Sequence, residues 1–233
     1  MTDSFVFAPA AIPSVAVAGD TRRFPVRRIF CVGRNYADHA REMGSDPVRE
    51  PPFFFTKPAD AVVDDGTAIP YPPETANLHH EIELVVAIGR AGFNVAPADA
   101  LGLVFGYAVG LDMTRRDLQN KAKDTGRPWD WGKAFDNSAP CAAIRPVAEI
   151  GHPAGGAITL DVNGTRRQTG DIADLIWPVA DVIAIVSRSM ALKPGDLIYT
   201  GTPSGVGAVR PGDRLEGRIA GVGTLAVSIG EPA

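Results

Sequence analysis

The chain has 233 residues, enough for one large domain or two small ones with a sizeable core. Its 45% hydrophobic and 21% charged residues are ordinary for a globular protein, and a net charge of −4 argues against a nucleic-acid binder, which usually shows a basic field. No apolar run is long enough to cross a bilayer, and the 25 Gly and 20 Pro predict many turns and short strands.

The N-terminus, Met-Thr-Asp-Ser-Phe-Val-Phe-Ala-Pro, lacks a basic segment, and prolines interrupt its apolar stretch, so no secretory signal is read there. Cys31 and Cys141 are then expected as buried free thiols in a reducing, cytoplasmic setting. Residues 1–25 read as a short arm with strands at Phe5–Phe7 and Ser14–Val17, followed by a single domain over 26–233.

In that domain Arg28–Gly33 reads as a buried strand and Ala37–Met43 as about two helical turns. Phe53–Thr56 and 82–88 read as strands, and Pro97–Leu103 as a helix start. Residues 114–123 form a short helix or an ordered loop. Asn163-Gly164 is a hairpin turn between two alternating runs. The clearest helix is 178–191, with Val179, Val182, Ile183, Val186 and Met190 at helical spacing. Strands follow at 197–200, 214–218 and 224–229. Strands outnumber helices without regular alternation, which argues against a Rossmann fold or a (β/α)8 barrel and for an α+β domain rich in mixed β-sheet with few short helices.

Four groups of residues demand a chemical explanation. Glu81 and Glu83 interrupt an apolar run and, two apart on a strand, project from one face. They read either as the polar face of an edge strand or as paired carboxylates neutralised by protons or a cation. Asp112, in the apolar stretch 109–113, adds a third oxygen donor and favours a hard divalent ion, Mg²⁺ or Mn²⁺. His39 and Glu42 share one face of a helix, as an incidental surface pair or as a base whose imidazole a carboxylate orients. Lys133 lies among aromatics at 129–135, in a cation–π contact, snorkelling, or facing a substrate anion. The 200–207 segment, Thr-Gly-Thr-Pro-Ser-Gly-Val-Gly, follows a strand and either turns the chain or offers N–H groups to an anion. It lacks the ending of a phosphate-binding loop. His79-His80 suggests a metal motif, but no HExxH follows.

In this order the segments Val32–His39, Phe55–Pro58, His80–Leu84, Gly110–Thr114, Lys133–Asp136 and Thr200–Gly207 resemble the fumarylacetoacetate hydrolase family, and within it the small acylpyruvate and fumarylpyruvate hydrolases. The resemblance runs from about residue 26 to the C-terminus. It implies a rolled, sandwich-like mixed sheet, homodimers, and Mg²⁺ or Mn²⁺ on Glu81, Glu83 and Asp112. It implies that His39 and Glu42 activate water and that Lys133 stabilises the bound oxo-acid. It places Arg34, Asn35, Arg116, Gln119 and Thr202 at the substrate, with Arg34, Arg41 and Arg116 available for a distal carboxylate. The activity it implies is hydrolysis of a 2,4-dioxo acid in gentisate catabolism. Oxaloacetate decarboxylation, and isomerisation or decarboxylation in homoprotocatechuate catabolism, are its alternatives on the same metal. The only partner expected is a small-molecule 2-oxo or 2,4-dioxo acid. The short N-terminal arm counts against fumarylacetoacetate itself.

Overall fold

The computed structural model describes residues 4–38 and 51–232. His39, Glu42 and Arg41, with most of the expected 37–43 helix, lie outside the described residues. An eight-stranded sheet runs in the order Phe53–Lys57, Arg28–Gly33, Asp196–Tyr199, Ile82–Ile88, Val104–Leu111, Ala139–Cys141 and Val62–Asp64, with Arg145–Pro146 also on Val104–Leu111. It is mixed: Asp196–Tyr199 pairs parallel to Arg28–Gly33, and Ala139–Cys141 parallel to Val62–Asp64, while its other pairs are antiparallel. A five-stranded sheet, ordered Thr165–Asp171, Ala157–Val162, Arg214–Ile219, Gly223–Pro232 and Ala68–Tyr71, lies against it.

The two faces of the strand Ile82–Ile88 explain its unbroken apolar sequence. Ile82, Leu84, Val86 and Ile88 enter a core shared with Ile158, Leu160, Leu215 and Leu225 of the second sheet. Val85 and Ala87 enter a separate core with Ile29, Cys31, Leu197 and Tyr199, closed by Val15 and Phe24 from the hairpin Ser14–Ala16 and Arg23–Pro25. A strand covered on both sides loses the alternation that marks a half-exposed one. This strand is central and wholly buried, so the edge-strand reading of Glu81 and Glu83 does not hold.

The expected hairpin forms at Asn163-Gly164, both with positive φ, between Ala157–Val162 and Thr165–Asp171. The helix Val179–Ser189 buries Val179, Val182, Ile183 and Val186 as its spacing predicts. Met190 lies past its end in extended conformation and is 45% exposed, so the apolar stripe stops one turn earlier than expected. The arm differs too. Phe5–Phe7 form no strand, and their side chains are exposed. No helix among the described residues is long and apolar enough to cross a membrane.

Candidate metal centre and substrate cleft

The strands Ile82–Ile88 and Val104–Leu111 pair antiparallel, with Ile82 opposite Leu111 and Glu83 opposite Gly110. One step on, the Asp112 N–H donates to the Glu81 carbonyl at 2.9 Å, so Glu81 faces Asp112. Alternation then puts Glu81, Glu83 and Asp112 on one face of one ladder, although Asp112 is 29 positions from Glu83 in sequence. All three are buried, and one carboxylate oxygen of each lies within 4.8 Å of the others.

Among the described residues, three side-chain cations converge on this trio. Lys133 Nζ donates at 2.7 Å to Glu81 Oε2, Asp112 Oδ2 and Thr114 Oγ1, and sits 5.0 Å above the Phe55 ring. Lys57 Nζ lies 2.8 Å from Asp112 Oδ1 and donates to the carbonyls of Met113, at 3.1 Å, and Lys133. Arg116 donates Nη2 to Glu81 Oε1 and Nη1 to Gln119 Oε1 at 2.5 Å. Burying a charge is tolerable only when it is paired and hydrogen-bonded, and Glu81 and Asp112 meet that condition through the three bases. Desolvation opposes the charge on Lys133, but Asp112 and Glu81 outweigh it and hold its pKa above the ordinary ammonium value. Among the described residues, Glu83 accepts a hydrogen bond from the Gly201 N–H at 2.8 Å. Burial first, then Asp112 and Glu81, push its carboxyl well above the usual range, against the pull of Lys133 and Gly201.

The donor set fits a hard divalent ion. Such an ion takes oxygen ligands roughly 2.1 Å away, so opposite ligands stand about 4.2 Å apart, close to the spread of the trio. Asp112 Oδ1 is buried and accepts no hydrogen bond; its contact with Lys57 is an ion pair without hydrogen-bond geometry. Among the described residues that oxygen therefore keeps acceptor capacity, as a metal ligand requires. Three carboxylates leave further positions for water and a substrate.

The trio floors a cleft walled by Val32, Gly33, Arg34, Phe55, Trp129 and Thr202. Arg116, Gln119 and Lys133 also line it, with Asn120 and Lys123 at the helix Arg116–Asp124. Of the residues expected at substrate, Arg34, Arg116, Gln119 and Thr202 are thus brought to one place. Asn35 is not. Its amide is buried and holds Thr200 O at 2.8 Å and Trp177 O at 3.0 Å, while its Oδ1 accepts the Trp177 N–H at 2.7 Å. Arg116 pairs with Glu81, which commits it to the carboxylate cluster rather than to a distant substrate end.

Lys57 and Gln168 escape a reading of the sequence alone. Lys57 ends an apolar strand beside Pro58, where a lysine ordinarily leads into a solvated turn, and only burial discloses its pairing. Gln168 hides in a polar, exposed strand. His80 meets Gln168 Oε1 at 2.9 Å, and His79 meets Asn77 Oδ1 at 3.0 Å and accepts from Arg116 Nε at 3.4 Å on Nδ1.

Residues 28–229 match the family model for the C-terminal region of fumarylacetoacetate (FAA) hydrolase. A fumarylpyruvate hydrolase of Ralstonia sp is 48% identical over 181 residues, 78% of this chain and 94% of that protein. The oxaloacetate tautomerase YcgM of Escherichia coli K12 is 43% identical over 193 residues, covering 82% and 88% respectively. Among solved structures, fumarylpyruvate hydrolase from Pseudomonas aeruginosa in complex with Mn²⁺ and pyruvate superposes with a TM-score of 0.96 at 54% identity, over 98% of this chain and all of that one.

Proposed function

The chain belongs to the fumarylacetoacetate hydrolase family, and from that membership we propose that it is a divalent-metal-dependent carbon–carbon bond hydrolase acting on a 2,4-dioxo acid, fumarylpyruvate. The observation that carries this reading is the buried trio Glu81, Glu83 and Asp112 beside Lys133, in a chain 54% identical to a protein that binds Mn²⁺ and pyruvate.

Glu81, Glu83 and Asp112 would hold the ion, Mg²⁺ or Mn²⁺, which would supply Lewis-acid polarisation of the substrate's 2-oxo group. Thr202, on the cleft wall, meets the substrate carboxylate. His39, oriented by Glu42, takes a proton from water as its oxygen attacks the C4 carbonyl. The C3–C4 bond breaks and its electron pair moves onto the pyruvate unit as an enolate. Lys133, kept cationic by its carboxylate neighbours, faces that developing charge. Protonation at C3 completes pyruvate, and the other product is fumarate. The acyl end leads outward past Phe55, Trp129 and Arg34. The roles of His39 and Glu42 rest on the sequence resemblance. The same reading makes the protein a cytoplasmic homodimer in gentisate catabolism.

A second reading draws on the relatives named oxaloacetate tautomerases, including the Escherichia coli protein. Tautomerisation moves a proton at C3 and needs the same enolate stabilisation, but no attacking water. The test is a panel of fumarylpyruvate, acetylpyruvate and oxaloacetate with Mg²⁺- or Mn²⁺-loaded protein, following enol absorbance and released pyruvate separately. Hydrolysis predicts stoichiometric pyruvate, lost in His39→Ala. Loss of the oxaloacetate enol without any pyruvate from the acylpyruvates would replace hydrolysis with tautomerisation.

A further inference from the structure

Gln168 lies on Thr165–Asp171, an edge strand whose neighbours Arg166, Arg167 and Thr169 are exposed, yet Gln168 itself is wholly buried. Its amide makes four hydrogen bonds. Oε1 accepts the Ile82 N–H at 3.1 Å and stands 2.9 Å from His80 Nδ1. Nε2 donates to Thr202 Oγ1 at 2.8 Å and to Pro203 O at 2.9 Å. A carboxamide has two donor hydrogens and two acceptor lone pairs, and all four are used. A backbone N–H only donates and a carbonyl only accepts, so Ile82 and Pro203 fix which way the amide points. His80 Nδ1 must then carry its ring hydrogen, and Thr202 Oγ1 must accept. The hydroxyl proton of Thr202, which lines the cleft, is thereby left for an acceptor other than Gln168.

The contact is built into the backbone as well. Gly205, at φ +92°, lies where a Cβ would come 2.2 Å from Arg167 O, and a Cβ on Gly170 would come 2.8 Å from Pro203 Cβ. The 200–207 loop is therefore pressed against the edge strand at Gln168. On its other side the loop reaches the metal strand through Gly201 N–H and Glu83.

We infer that Gln168 is a positioning residue: it sets Thr202 as a hydroxyl donor to the carboxylate of a 2-oxo acid, and it locks the loop to the strand that carries the metal ligands. The inference rests on the reading that Thr202 meets that carboxylate. Nothing in the reaction scheme above gives Gln168 a part.

The test compares Gln168→Met, Thr202→Val and the double variant by fumarylpyruvate kinetics, pyruvate affinity from calorimetry on Mn²⁺-loaded protein, and thermal unfolding. A hydrogen bond to a charged group corresponds to about a tenfold effect or more in binding. Gln168→Met is expected to raise KM and the pyruvate Kd together by about tenfold, with kcat within about threefold. Thr202→Val should do the same, and the double variant should be no worse than Thr202→Val, because the amide acts through that hydroxyl. Loss of thermal stability in Gln168→Met with KM and Kd unchanged overturns the inference, as do factors that multiply in the double variant. A Thr202→Val effect without a Gln168→Met effect defeats this inference alone. No effect from Thr202→Val defeats the substrate reading of the loop along with it. Should Gln168→Met fail to fold, Gln168→Glu keeps both acceptor contacts and reverses only the donor side, and the same comparison applies.

Discussion

Glu81 and Asp112 face each other across adjacent strands, joined by a 2.9 Å backbone hydrogen bond, and both carboxylates end on one ammonium, with Lys133 Nζ 2.7 Å from each. The lysine therefore has two duties: it neutralises the cluster and it presents a cation to the cleft. Removing one partner from a buried pair leaves a charge without compensation, at a cost of about 3–5 kcal/mol. Lys133→Met should lose stability of that order in chelator-treated protein, read by urea unfolding. Mn²⁺ should restore part of it, since the ion replaces the missing charge. Activity should fall about 10²–10³-fold with metal present. Unchanged metal-free stability would show that Lys133 is not the cluster's counter-charge.

Glu83 makes metal binding and folding depend on pH in a stated direction. Its carboxyl is raised in the folded protein by burial, Asp112 and Glu81, so between the ordinary value of 4.5 and that raised value the folded state holds a proton the unfolded chain has lost. Stability without metal should therefore fall as pH rises through this window. A metal ligand must be deprotonated, so apparent Mn²⁺ affinity should rise over the same window. Glu83→Gln should flatten the stability dependence and weaken the ion at every pH. Calorimetric Mn²⁺ titrations with thermal melts from pH 5 to pH 8 check both; a pH-independent affinity in the unmodified chain defeats the argument.

The residues of the cluster were legible because three carboxylates in apolar surroundings violate the rule that such groups stay solvated. Their joint placement followed from strand alternation once Ile82 and Leu111 were paired. Lys57 was not legible, because a lysine before a proline reads as the end of a strand. Asn35 shares the segment Val32–His39 with Arg34 but turns its amide to Trp177 and Thr200 instead of the cleft. Among elements, Val179–Ser189 declared itself by period, whereas Phe5–Phe7 had strand composition but pair with no strand among the described residues. Pairing is a long-range property that composition does not carry.

Gly110 offers a purely steric test of the site's foundation. It stands opposite Glu83, and a Cβ there would lie 2.5 Å from Val85 Cγ2 and 2.7 Å from the Tyr199 ring. Tyr199 is buried and anchored by its hydroxyl to Ala139 O and Pro140 O, both at 3.2 Å, so moving the ring would break those contacts. Gly110→Ala should cost about 1–3 kcal/mol, the range for overpacking a dense core. It should also weaken Mn²⁺ binding by displacing the ladder that carries Glu83. Wild-type stability and metal affinity in this variant would contradict the packing described.

The outer wall of the cleft bears on the acyl group. Trp129 meets Phe53 edge-on at 5.0 Å and Phe55 at 5.8 Å, and Arg34 lies 5.4 Å from the Phe53 ring centre. Phe53 owes its place to Gly33, where a Cβ would come 2.1 Å from the ring. A planar, conjugated fumaryl group offers such a wall a flat face that an acetyl group lacks. An aromatic contact contributes about 0.5–1.5 kcal/mol beyond its area, a factor of about 2–13 in binding. Trp129→Ala should therefore raise KM for fumarylpyruvate by about that factor and leave acetylpyruvate within about twofold. Parallel kinetics on the two substrates decide it: equal losses would mean that Trp129 supports the cleft as a whole and does not select the acyl end.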